Sequence, residues 1–242
     1  MTQWNVAAAQ YGCHDGELNA NIDHHLHFIR RAAREQVDLL VFPEYSLTGL
    51  TPCSAAIHGL TPNATALAPL QRAAQEYQMT IIVGLPLHDG GRILPGALGF
   101  MPDGTRTACH KPAGEWDDIS AGAPVIGHQG RSFALGINSD GQDESWPRSA
   151  ASQGVDLYTT GRIVSEISWQ HEVMHLQRWS HKYRLPVLMA NHAWSVNGTR
   201  SAGRSACWDE RGQLIIRADE GELLVISRRS ERGWQGEVIP LV

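Results

Sequence analysis

Two short apolar runs, each ending at a helix-breaking residue and each preceded by a helical repeat, constrain this chain more than any other feature. Asp38-Leu-Leu-Val-Phe-Pro43 and Thr80-Ile-Ile-Val-Gly84 are strand-length runs, the pattern of strands covered on both faces. Trp4 to Ala9 is a third. Leu18, Ile22, Leu26, Ile29 and Ala33 recur at spacings of three and four, one stripe of a helix between the first two strands. Leu67, Leu70, Ala74 and Tyr77 repeat that pattern before Thr80. A chain that alternates in this way is an α/β chain with helices laid over a sheet.

The middle and the end read differently. Asp89-Gly-Gly91 and Asp103-Gly104 are turn signals flanking a strand over Gly96–Met101. Further strands are expected at Ser132–Ile137, Val155–Thr159, Pro186–Ala190, Ser205–Trp208, Leu214–Arg217 and Leu223–Ser227, with a helix over about Ser168–Tyr183. Two sheets packed face to face with helices outside satisfy this order. So does one doubly wound sheet, and periodicity leaves both open.

Several function classes are disfavoured. The net charge is −5, with no basic stripe, which argues against a nucleic-acid partner. No run approaches 18 consecutive apolar residues, so no membrane span is expected. The N-terminus reads as an immediate strand, not a signal peptide. The four cysteines, Cys13, Cys53, Cys109 and Cys207, form no CxxC pair. Reduced thiols in a cytoplasmic protein are the expectation.

Val41-Phe-Pro-Glu44-Tyr-Ser-Leu-Thr-Gly49 places a glutamate after a strand and a proline. Gly84-Leu-Pro86, Asp103-Gly104 with His110-Lys111, and Ser120-Ala-Gly122 follow in order. Then come Phe133-Ala-Leu-Gly-Ile-Asn138-Ser-Asp140, Trp146-Pro147 and Gly154-Val-Asp156. Arg178 to Asn191, Gly203-Arg-Ser205 and Asp209-Glu-Arg-Gly212 close the series. In order and spacing these segments resemble the nitrilase superfamily of carbon–nitrogen hydrolases over nearly the whole chain. The resemblance implies a four-layer αββα sandwich of two mixed β-sheets, a single domain over residues 1–242, and dimerisation through outer helices. It also implies a Glu-Lys-Cys triad, a small amide or carboxylate as ligand, and no cofactor.

Such chemistry needs a thiolate to attack an amide or nitrile carbon and a carboxylate to take its proton. It also needs a cation and backbone N–H groups to stabilise the charge that develops. By motif position Glu44 is the base and Lys111 the cation. Glu115 falls near a second family glutamate that orients substrate. Ser139 and Trp146 are the other candidate substrate contacts. Taken alone, a glutamate after a strand or a lysine in a hairpin is usually just solvated; the motif context is what singles these two out.

At the nucleophile the chain departs from the pattern. Asn138 stands where the family has its cysteine, and a neutral carboxamide cannot form a thioester. The stretch from Asn138 to Trp146 is also longer than the family's, and Pro95 stands near the family's hairpin asparagine. A pseudoenzyme or an atypical hydrolase is the resulting expectation. Ser139 as a substitute would point away from Asn138 on an extended chain. Cys109 lies two residues from Lys111 on the same hairpin strand, and Cys207 in an expected core strand. Direct activation of water by Glu44 would be slow.

One rival motif belongs to a different class. His171-Glu172-Val-Met-His175 is a literal HExxH, and His181 falls at a third-ligand spacing. This would suit a zinc metalloprotease. However, Arg178 replaces the helix-breaking glycine, and ten residues of unbroken helix put His171 about 15 Å from His181. No metal is therefore assigned. The cluster His24-His-Leu-His27 is expected on the solvated side of the first helix.

Overall fold

Each apolar run of the first third is a buried strand whose alternate residues serve two cores. The computed structural model describes residues 3–50, 60–89, 91–110, 123–128, 130–137 and 143–241. In β1 (Trp4–Gln10), Trp4, Val6 and Ala8 face one core while Ala7 and Ala9 face the other. Leu39 and Val41 of β2 (Leu39–Val41) join the first core, and Leu40 the second. β3 (Thr80–Asp89) follows the same rule through Ile82 against Ile81 and Val83. A period of two with both faces covered is why these segments read as continuous apolar runs.

These three strands are parallel, joined through α1 (Leu18–Arg34) and α2 (Ala68–Tyr77), which pack over one face. Hairpins extend the sheet on both sides. β4 (Arg92–Phe100) and β5 (Arg106–His110) follow β3; β12 (Leu223–Ser230) and β13 (Gly233–Pro240) line the free side of β1. The result is a seven-stranded mixed sheet in the order β13-β12-β1-β2-β3-β4-β5.

The second half repeats the plan. β7 (Arg131–Gly136), β8 (Leu157–Gly161) and β9 (Val187–Ala190) are parallel, with α3 (Ser145–Ser152) and α4 (Trp169–Tyr183) between them in sequence. β6 (Val125–His128), β10 (Ala206–Trp208) and β11 (Leu214–Arg217) complete a six-stranded sheet, β11-β10-β9-β8-β7-β6. The two sheets meet where β1 lies against β9 and β2 against β8. The architecture is the expected αββα sandwich of two mixed sheets, not one doubly wound sheet.

Three elements were not legible in the sequence. α3 contains Pro147 and no helical stripe. β6 is a four-residue edge strand, and β13 carries two glycines and mostly exposed residues. One expectation is corrected. His25 is fully buried, not solvated, because the inward face of α1 is centred on Asn21, Ile22, His25, Phe28 and Ile29. Leu18, Leu26 and Ala33 lie only at its flank. His27 is exposed, as expected of that cluster, and His24 is intermediate.

Candidate active site

Where β2 ends, Pro43 and Glu44 enter a tight turn that two glycines hold from opposite sheets. A Cβ on Gly84 of β3 would lie 2.4 Å from the Pro43 carbonyl oxygen and 2.7 Å from the Glu44 Cα. A Cβ on Gly161 of β8 would lie 2.6 Å from the Phe42 carbonyl oxygen and 2.8 Å from the Glu44 nitrogen. Only a residue without a side chain fits at such approaches. The turn is tied further by the Leu47 N–H, which donates to the Gly84 carbonyl at 3.0 Å. Tyr45 takes a left-handed φ of 55°, a costly conformation for a bulky residue that marks a constrained turn.

Two buried histidines complete the support. His192 donates from Nε2 to the Glu44 carbonyl oxygen at 2.7 Å. His25 lies beneath the turn. Its Nδ1 lies 2.6 Å from the Asn21 carbonyl, which can only accept, so Nδ1 carries the proton. The Ser46 hydroxyl then donates to His25 Nε2 at 3.0 Å and accepts from the Gly84 N–H at 3.2 Å. Burial pulls His25 down to about 3 and His192 down to about 4, so both are neutral near pH 7. Sequence reading missed both, because a histidine carries no periodic signal of burial.

Above the turn is a narrow pocket with a cavity volume of about 10 Å³, lined by Phe42, Pro43, Glu44, Gly84, Gly96 and Ile137 among others. Glu44 is half-buried. Burial, and then the neighbouring Glu44 carboxylate, push the Tyr45 phenol up to about 12. Ile137 is the residue before Asn138, and Gly96 pairs across the hairpin with His110, the residue before Lys111. Lys111, Glu115, Asn138 and Ser139 themselves lie outside the described residues. Trp146 is buried in the core on α3 and is not among the residues lining this pocket.

The described cysteines are poorly suited to replace a nucleophile. Burial pushes the Cys109 thiol up to about 11, the Cys207 thiol up to about 12 and the Cys13 thiol up to about 12. A thiol held there carries little thiolate near pH 7. Asn191, at the end of β9, ties loops together: its amide donates to the Val164 and Gly203 carbonyls and its oxygen accepts from the Val164 N–H.

The HExxH residues sit on one uninterrupted helix, α4. Glu172 is paired with the Arg162 guanidinium at 3.3 Å, and His181 Nδ1 lies 3.0 Å from the Arg211 carbonyl. Among the described residues no group of three or more His, Cys, Asp or Glu side chains is placed to hold a metal ion. No described helix is long and apolar enough to cross a membrane.

A family model for carbon–nitrogen hydrolases matches residues 5–114. Among solved structures, this chain is similar to Saccharomyces cerevisiae Nit3, a member of branch 10 of the nitrilase superfamily. The TM-score is 0.78 at 18% identity, covering 96% of this chain and 91% of that one. It is also similar to a nitrilase-superfamily amidase from Nesterenkonia AN1, solved with a cysteine replaced by serine: TM-score 0.77, 19% identity, 92% and 90% covered. A double mutant of that amidase, glutamate to glutamine and cysteine to alanine, was solved in complex with acrylamide and matches with TM-score 0.79 at 18% identity, covering 95% and 92%. At such identities the structural likeness shows the fold.

Proposed function

We propose that this chain, a nitrilase-superfamily protein by its fold and by the carbon–nitrogen hydrolase pattern of its first half, binds or acts on a small amide or carboxylate in the Glu44 pocket without forming a thioester. The observation that carries the reading is the shared pocket wall. Glu44, held between two glycines, lines it together with Ile137, after which the chain continues into Asn138. In this reading Glu44 is the carboxylate that would serve a nucleophile, and Lys111 the cation facing the ligand's oxygen. Asn138 offers hydrogen bonds where the family attacks. Glu115 and Ser139 are the proposed accessory contacts. The complex of the Nesterenkonia amidase with acrylamide makes simple amides the first ligands to try.

The chemistry decides against covalent catalysis at Asn138. Its nitrogen lone pair is delocalised into the carbonyl, and Glu44 has no thiol proton to take. The reading takes the chain as one cytoplasmic domain that associates as a homodimer, with no nucleic-acid partner; light scattering that gives a monomer mass would remove the dimer alone.

Mass spectrometry of the unmutated protein incubated with activated amides and esters is the test. The expected spectrum shows no acyl adduct, while Asn138→Cys acquires one at the new thiol. Turnover by that variant is expected to stay low. Displacement of oxyanion donors by an ångström costs about 100-fold, and the segment after Asn138 is longer than the family's. A stable adduct on Ser139, Cys109 or Cys207 in the unmutated protein would show that the nucleophile has moved and would overturn the reading.

A further inference from the structure

The rejected zinc motif leaves two of its residues in an arrangement the proposed pocket does not use. His171 and His175 lie one turn apart on the outer face of α4, with their Nε2 atoms 3.3 Å apart. His171 is exposed and His175 half-buried. Their ring centroids are 4.6 Å apart at 68°, and the His175 ring centroid lies 5.9 Å from that of buried Trp179. Packing against Trp179 limits the rotamers of His175, so one donor of the pair is already placed.

The nitrogen separation is what matters. Two Zn–N bonds of about 2.05 Å span 3.3 Å at an angle of about 107°, within a few degrees of tetrahedral. The geometry points to a two-histidine site for a borderline divalent cation, Zn²⁺, on the exposed face of α4, its remaining positions filled by water. Imidazole nitrogens suit that cation. The site is not a protease centre, because the Glu172 carboxylate faces the Arg162 guanidinium and His181 is directed at the Arg211 carbonyl. With two protein donors where structural zinc sites have four, the ion should exchange readily and α4 should form without it.

Calorimetric titration of the full-length, untagged protein with zinc chloride tests this. One site is expected. His171→Ala and His175→Ala should each weaken it by about 10-fold or more, since loss of even an indirect supporting partner costs that much at metal sites. His24→Ala, which alters a different histidine beside Glu222, should leave the affinity within about twofold, as expected for a distant, independent site. Circular dichroism should show the three variants equally folded. Because both histidines reach solvent, their removal opens no cavity. Absence of binding at millimolar zinc would overturn the proposal, as would zinc binding that survives both α4 substitutions.

Discussion

Acidification from pH 6.5 to 4.5 is expected to remove about 4 kcal/mol of folding stability through two histidines alone, at up to about 1.36 kcal/mol per pH unit for each buried neutral group. Burial lowers His25 to about 3 and His192 to about 4, whereas an unfolded chain protonates histidine near 6.5. Well above pH 6.5 both states are neutral and the full stability is present. Below it the unfolded state binds protons that the folded state refuses, so stability falls with pH until the folded groups titrate. A domain stabilised by about 5–15 kcal/mol overall has little margin for such a loss. Urea unfolding at pH 7.5, 6.5, 5.5 and 4.5 measures the slope. His192→Gln should reduce it by about 1.4 kcal/mol per pH unit, one proton's share. A flat profile between pH 6.5 and 5 would mean that neither histidine is held neutral, and the support beneath Glu44 would have to be redrawn.

Gly84→Ala and Gly161→Ala are each expected to cost about 3 kcal/mol or more, the upper range for overpacking a closely packed site. At this chain length such a loss lowers Tm by about 6–12 °C. The added methyl meets backbone atoms, not a flexible side-chain end: Pro43 and Glu44 for one, Phe42 and Glu44 for the other. The turn must move, and Glu44 with it. Both variants should therefore also lose affinity for any ligand of the Glu44 pocket. Gly127→Ala is the control. Its Cβ would meet nothing nearer than 3.8 Å, and a change within about 0.5 kcal/mol is expected, as at most surface positions. Calorimetric Tm values for the three variants decide the matter. If Gly84→Ala and Gly161→Ala melt with the control, the two-sided clamp is not what holds the Glu44 turn.

Much of this molecule is written locally. A strand buried on both faces must be apolar at every position, and a helix over a sheet at every third or fourth. β1, β2, β3, α1, α2 and α4 could therefore be placed from short windows of residues. Glu44 was singled out by the resemblance to the nitrilase superfamily, whose motif here, Pro43 before it and Thr48-Gly49 after it, also lies within a few positions. Elements without such a window escaped: α3 is short and interrupted by Pro147, and β13 lies at an edge with little to bury. What short windows do not contain is pairing between distant segments. Two sheets and one doubly wound sheet have the same order of strands and helices, and the choice lies in β1 meeting β9 and β2 meeting β8. The support of Glu44 is of that kind. Gly161 approaches from the other sheet, and His192, 148 residues further along the chain, donates to the Glu44 carbonyl. A glycine or a histidine looks alike in sequence whether it is solvated or pressed against a distant backbone. The difference is a desolvation and a hydrogen bond that exist only once the chain has closed on itself.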